Sequence, residues 1–220
     1  MILEDKITEY KKKLIDYAGL IENMIDKSIK GLLSKEKTWL DDVIETDEPK
    51  ANNFKIELES IGTILIAQYG PLARDLRTIL MVLRINNDLE RIGDHIVNIT
   101  ESNHFLIEQP RVKPLVDIPK MSDEVIKMLK NSINAFIQED AKLAKNVCEY
   151  DSVIDELMNQ VMRELIPLMS SSPRTIETSL HLIRVAHNLE RIADLSTNIS
   201  EDVIFMVEGR VIKHHKDEIF

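Results

Sequence analysis

Cysteine, glycine, proline and aromatic residues are all scarce in this chain of 220 residues. Its single cysteine, Cys148, excludes an internal disulfide and is expected to be a small core residue in a reducing cytoplasm. Six glycines, seven prolines and 5% aromatic residues leave a composition that favours helix throughout. The length is enough to bury a real hydrophobic core, as one domain or as two small ones.

Positive charge and long apolar runs are also lacking. The chain has 28 Lys and Arg against 38 Asp and Glu, a net charge of −10, so there is no basic stripe to follow a phosphate backbone. No apolar run approaches the length of a transmembrane span, and the first thirteen residues, MILEDKITEYKKK, do not resemble a signal peptide. We therefore expect a cytoplasmic protein with no nucleic-acid partner and no direct membrane insertion.

What the chain does contain is an internal repeat. Residues 83–99 (LRINNDLERIGDHIVNI) and residues 183–199 (IRVAHNLERIADLSTNI) are identical at eight of seventeen positions. Chance would give about one identity in such a window, so the chain is predicted to be two copies of one unit.

Both copies have the apolar period of a helix that packs along one narrow face. The residues predicted to face inward are Ile85, Leu89, Ile92, Ile96 and Ile99 in the first copy, and Val185, Leu189, Ile192 and Ile199 in the second. The opposite face carries a ladder of oxygen-bearing side chains, Glu90, Asp94 and Asn98 in the first copy, and Glu190, Asp194 and Asn198 in the second.

Two interpretations of these ladders are open. A Glu-xxx-Asp pair is most often a solvated helix surface, and two carboxylates one turn apart repel each other slightly. Carboxylate and amide oxygens are also the ligands that hard cations prefer, which would make each ladder part of a metal site. Folding needs the apolar seam twice but does not need the same polar set twice, and this favours the metal site more than a single copy would.

The remaining pattern predicts an all-α fold of two tandem, duplicated three-helix bundles with six long helices and short turns. The first bundle is predicted over residues 1–108, a proline-containing linker over 109–119 and the second bundle over 120–220. Expected helix boundaries are a break at Gly31, a kink or restart at Pro49, a stop at Tyr69-Gly70-Pro71, a start at Ser122, an end between Pro167 and Pro173, and a last helix over about 174–208.

The repeated LERIGDH-xx-NI and LERIAD-xxx-NI elements resemble the signature of the PhoU family, cytoplasmic regulators of phosphate uptake. The segments GPLARDLR (70–77) and NISEDVIFMVEG (198–209) resemble that family too, and the likeness extends over essentially the whole chain. It implies a PhoU-like fold in which each bundle holds a cluster of metal ions on its surface.

The resemblance implies metal ligands on the second and third helix of each bundle. The third-helix pairs are Glu90 with Asp94 and Glu190 with Asp194. The second-helix pairs are Asp151 with Asp155 and, in a less regular form that contains Pro49, Glu48 with Asn52. Asp47, Asn98, Asn198 and His187 are further candidates, although His187 has the alternative of a solvated polar residue. The expected cofactors are divalent or trivalent ions such as Fe, Zn, Mn or Ni.

For function, the resemblance implies a regulator and not an enzyme. Family members restrain a phosphate ABC transporter and a phosphate-sensing histidine kinase, so the expected partners are the transporter ATPase subunit and that kinase, and a homodimer is expected. A metal-dependent hydrolase or oxidase is the alternative, disfavoured because neither ladder contains Glu-xx-His and no nucleophile motif or Gly-rich phosphate loop is present. A purely structural helical protein is a third hypothesis.

Overall fold

The computed structural model describes residues 2–208 and the backbone of two short strands near the C-terminus. The helices are α1 (Ile2–Ser34), α2 (Lys37–Asp42), α3 (Glu48–Tyr69), α4 (Ala73–Glu108), α5 (Asp117–Gln138), α6 (Ala141–Ser171) and α7 (Ile176–Glu208). The strands β1 (Val211–Lys213) and β2 (Lys216–Glu218) pair antiparallel. Because α2 and α3 form one bent helix, the chain has the six long helices that the sequence predicts.

The bend in the second helix lies where Pro49 predicts it. Between α2 and α3 the chain makes one π-helical turn, Val43–Asp47, in which the N–H of Glu48 donates to the carbonyl of Val43. A π-helical turn contains one more residue than an α-helical turn and bends the helix. Pro49 follows in the first turn of α3, where its missing N–H costs no helical bond.

Two predicted boundaries are wrong, the break at Gly31 and the start at Ser122. Helix α1 does not break at Gly31 but continues to Ser34. The glycine is needed here because α2 packs closely: a Cβ on Gly31 would lie 2.5 Å from Cδ2 of Leu40. Helix α5 begins before Ser122, since Pro119 is accepted within its first turn. By contrast, α6 continues through Pro167 and ends at Ser171, within the range from Pro167 to Pro173 that the sequence predicts.

The helices form two three-helix bundles that pack against each other. The first contains α1, α2–α3 and α4, and the second contains α5, α6 and α7. Helix α4 lies antiparallel to α7, as the contacts of Arg84 with Asp202 and of Phe105 with His181 show, and α1 packs on α5. The bundles share one hydrophobic core, so the boundaries of residues 1–108 and 120–220 stay a prediction as independent domains.

Both predicted seams are buried in that core. All nine inward-facing residues of the two copies are at most 1% exposed. Among the described residues, no helix is both long enough and apolar enough to cross a membrane.

Candidate functional site

A cavity of about 440 Å³ brings together three predicted ligands of the second bundle. Asp151 of α6 and Asp194 and Asn198 of α7 line it, because α6 and α7 pack side by side. The other residues that line it are Arg91 and His95 of α4 and Arg191, Leu195, Thr197 and Glu201 of α7. The cavity therefore lies where α4 of the first bundle meets the second bundle, and it contains both acidic and basic side chains.

The carboxylates of this cavity lie near cationic and polar partners. Nη1 of Arg191 donates to Oδ2 of Asp194 at 2.9 Å. Burial raises the pKa of the Cys148 thiol to about 12, and the negative charges of Glu201 and Asp151 add to this shift. These two carboxylates thus lie close to one buried thiol, between α6 and α7.

His95 is held in place from the other side of the bundle interface. Its Nδ1 lies 2.9 Å from Oδ1 of Asn188, whose Nδ2 donates to the carbonyl of Arg184 at 2.7 Å. With the Asn188 amide in this orientation, Nδ1 of His95 is the donor. Nε2 is then the ring nitrogen left to interact with a ligand.

The other three second-bundle candidates, Asp155, Glu190 and His187, do not line this cavity. Asp155 is exposed on α6, and Glu190 is half-buried on α7. Oε2 of Glu190 lies 2.8 Å from Nδ1 of His187, one turn earlier on the same helix. His187 thus contacts a predicted ligand.

In the first bundle, two residues of the third-helix ladder lie beside basic side chains. Oε1 of Glu90 lies 3.4 Å from Nζ of Lys55, and Asp94 is exposed. Burial raises the pKa of Tyr17, and the charges of Glu90 and Asp94 raise it further, so both carboxylates lie near this ring. Asn98 accepts a hydrogen bond from Nη2 of Arg184 at 2.9 Å.

The second-helix candidates of the first bundle lie at the π-helical turn. Asp47 is 1% exposed, and its carboxylate lies 2.6 Å from Nζ of Lys27 and 3.5 Å from Nζ of Lys50. Glu48 is half-buried and Asn52 is exposed. The turn thus directs Asp47 inward to Lys27.

The donor chemistry around the second-bundle cavity fits a hard cation, since carboxylate, amide and hydroxyl oxygens surround it. These side chains are spaced more widely than the ligands of a metal ion that is held by protein alone. Within residues 2–208, no three His, Cys, Asp or Glu side chains are grouped closely enough to hold an ion together. A cation here would be held by one or two of the carboxylates of Asp151, Asp194 and Glu201, with water supplying the rest of its coordination shell.

Comparison with known proteins assigns the family. The PhoU domain model matches the chain twice, over residues 14–102 and 118–203. The chain belongs to the PhoU family. The two matches correspond to the two bundles and therefore to the two copies of the internal repeat.

Relatives in the PhoU family match nearly the whole chain. A phosphate-specific transport system accessory protein PhoU homolog of Aquifex aeolicus is 38% identical over 97% of this chain and 96% of the relative. PhoU homolog 2 of Thermotoga maritima is 31% identical over 99% of this chain and 92% of the relative. The crystal structure of PhoU from Pseudomonas aeruginosa superimposes with a TM-score of 0.88 and 28% identity, covering 94% of this chain and 99% of that one. As the family consists of accessory proteins, the prediction that the chain is not an enzyme is confirmed.

The sequence contained signals for two features that the ligand prediction missed. Glu201 lines the cavity, and Glu101 stands at the equivalent position one hundred residues earlier, just outside the repeated window. The sequence Val-x-Glu-x-Asp occurs at residues 43–47 and again at 147–151. In this short repeat Asp47 of the first bundle matches Asp151 of the second. In the predicted ligand pairs, Glu48 matches Asp151 instead. The two matches differ by one residue, which is the extra residue of the π-helical turn.

Proposed function

We propose that this chain restrains phosphate uptake as a non-enzymatic regulator of a phosphate ABC transporter. The single observation that supports this is membership of the PhoU family over nearly the full length, including the duplicated bundle. The printed names of its relatives describe accessory proteins of a phosphate-specific transport system, and we extend that role to this chain.

The proposed partners are the ATPase subunit of the transporter and a phosphate-sensing histidine kinase, both reached in the cytoplasm by a homodimer of this chain. Exposed apolar side chains, among them Leu72 at 81% and Val116 at 67%, offer contact area on the surface. The test is a binding measurement of the purified chain with each partner. No binding to either, with metal and phosphate present or absent, would overturn the proposal. Light scattering of the free chain at several concentrations tests the dimer.

We further propose that the Glu-xxx-Asp ladders hold metal ions, of which Fe, Zn, Mn and Ni are the candidates. In the second bundle the support is the shared cavity of Asp151, Asp194 and Asn198. Asp155, Glu190 and His187 lie outside its lining, and the family resemblance is what supports them as ligands. In the first bundle the proposed ligands are Glu90, Asp94, Glu48 and Asn52, with Asp47 and Asn98 beside them.

Metal content separates these ladders from a solvated surface. The protein is purified without chelator, and its metal is quantified by mass spectrometry. The variant Asp151→Asn with Asp194→Asn is expected to lose the ion of the second bundle. A matched variant, Asp123→Asn with Glu177→Gln, removes two exposed acidic charges elsewhere and is expected to retain it. Equal metal content in both variants would remove Asp151 and Asp194 from the site.

A further inference from the structure

Two arginines from equivalent positions of the repeat line one cavity. Arg91 of α4 and Arg191 of α7 both follow Leu-Glu in the repeated Leu-Glu-Arg-Ile sequence, and both line the 440 Å³ cavity at the bundle interface. Their repeat positions lie close together because α4 and α7 cross antiparallel near the middle of the repeated stretch. Arg91 also lies 3.4 Å from Asp88, and Arg191 lies 2.9 Å from Asp194. Each guanidinium has five N–H donors, so these contacts leave donors for a ligand.

The arginines at equivalent positions 84 and 184 of the two copies have different partners. In the first bundle Arg184 reaches across from α7 and contacts both Asn98, at 2.9 Å, and Glu101, at 3.3 Å. The repeat counterpart of Arg184 is Arg84, which instead contacts Asp202 at 2.9 Å.

The counterpart of Asp202 in the first copy is Ser102, which has no charge to attract an arginine. Arg84 thus pairs with Asp202, whereas Arg184 contacts Asn98 and Glu101. The counterparts of Asn98 and Glu101 are Asn198 and Glu201, and they line the cavity.

We propose that this cavity binds inorganic phosphate together with a divalent cation. Arg91 and Arg191 contact the phosphate oxygens, since a guanidinium fork matches the geometry of phosphate. Nε2 of His95 is the ring nitrogen left to hydrogen-bond the phosphate, because Nδ1 is engaged with Asn188. One or two of the carboxylates of Asp151, Asp194 and Glu201 hold the cation, with phosphate oxygens and waters completing its coordination shell, and this part rests on the metal binding proposed above.

Charge explains why the cation is required. The cavity has two guanidinium groups and three carboxylates, so the carboxylates outnumber the guanidinium groups and disfavour a phosphate dianion on its own. A divalent cation offsets this excess of carboxylates and can share oxygens with the phosphate, as hard cations commonly do. The volume also suffices: at about 30 Å³ for each water in the liquid, the cavity has space for phosphate, a cation and several waters.

Equilibrium dialysis of the full chain with radiolabelled inorganic phosphate, with and without MnCl₂, tests the proposal. Phosphate is expected to bind with Mn²⁺ present and to bind at least about tenfold more weakly without it. The variant Arg91→Gln with Arg191→Gln is expected to weaken phosphate binding at least tenfold while Mn²⁺ binding, followed by electron paramagnetic resonance, remains. Arg163→Gln with Arg174→Gln removes two exposed arginines outside the cavity and is the charge-matched control.

The Asp202→Ser variant tests the asymmetry without changing a proposed ligand. It is expected to release Arg84 toward Asn198 and Glu201 and to lower phosphate affinity. Mn²⁺ binding without phosphate binding, or phosphate binding unchanged in the Arg91/Arg191 variant, would overturn the phosphate site and leave the metal proposal intact. No Mn²⁺ binding by the unaltered chain would overturn both the metal proposal and the cation-dependent site.

Discussion

Nζ of Lys27 lies 2.6 Å from Oδ2 of Asp47, a carboxylate that is almost completely buried at the π-helical turn. Lys27 also pairs with Asp42, and Lys50 is the only other cation within 4 Å of Asp47 among the described ion pairs. In the second bundle the last residue of the repeated Val-x-Glu-x-Asp sequence is Asp151, which lines the polar cavity. The same repeated aspartate therefore contacts a lysine in one bundle and lines a cavity in the other.

Replacing Lys27 with Met should destabilise the protein by about 3 kcal/mol, because Asp47 would stay buried with only the exposed Lys50 as a partner. Urea unfolding at pH 7 measures the change in the free energy of unfolding. The control is Lys6→Met in the same helix, which removes an exposed pair with Glu9 and should leave stability almost unchanged. A similar small effect for both variants would show that the Lys27–Asp47 pair contributes little to the fold.

Two helical glycines should respond to alanine in opposite directions. A Cβ on Gly62 would lie 2.5 Å from Oη of Tyr10 and 2.9 Å from Cδ2 of Leu83. Tyr10 is buried and donates to the carbonyl of Leu58 at 2.9 Å, so it has little freedom to move. Gly62→Ala should therefore cost about 1–3 kcal/mol in spite of the better helix propensity of alanine.

Gly19 is the matched position, because a Cβ there would meet no atom within 4 Å. Gly19→Ala should stabilise the protein by about 0.5–1 kcal/mol. Thermal unfolding of both variants checks the pair. A destabilised Gly19→Ala protein, or a neutral Gly62→Ala protein, would contradict the packing described between α1, α3 and α4.

The two copies of the seam should contribute about equally to stability. Ile92 and Ile192 occupy equivalent positions, and both are fully buried. Ile92→Ala and Ile192→Ala should each cost about 2–5 kcal/mol, through lost apolar burial and the cavity left behind. Ile56→Ala, at a position 63% exposed, should change stability by about 0.5 kcal/mol or less. If only one seam variant is destabilised in urea unfolding, the two bundles do not unfold as one cooperative unit.

The parts of the fold that depend on local period could be predicted from the sequence, and those that depend on distant contacts could not. The seam from Ile85 to Ile99 follows from spacing along one helix, and the restart near Pro49 follows from the preference of proline for the first turn of a helix. The sequence wrongly predicts a break at Gly31, because this glycine makes room for Leu40 of another helix and does not end its own helix.

In the candidate site, too, local features could be predicted from the sequence and distant contacts could not. The repeat predicted Asp94 and Asp194 as equivalent residues, yet their surroundings differ because of residues far away in sequence. Arg184 contacts Glu101 across 83 positions, and Lys27 contacts Asp47 across 20. A duplicated sequence predicts which side chains match, but packing between the copies decides which of them line a cavity.

The half-buried Glu22 of α1 should make stability depend on pH. Burial raises its pKa above the ordinary value of 4.5, and the positive charge of Lys130 on α5 opposes the shift. Because the folded chain then holds this proton more tightly than the unfolded chain, the contribution of Glu22 to stability falls as the pH rises from about 4.5 through the folded-state pKa. Glu22→Gln should therefore be more stable than the unaltered chain at pH 7, and the difference should vanish below pH 4.5.

Urea unfolding of both proteins between pH 4 and pH 8 measures this difference, and Lys130 supplies an internal control. Lys130→Gln removes the opposing charge, so the gain from Glu22→Gln at pH 7 should be larger in that background than in the unaltered chain. A gain of the same size in both backgrounds would show that Lys130 does not act on Glu22. A gain that persists below pH 4.5 would mean that the stabilisation comes from packing of the amide and not from the buried charge.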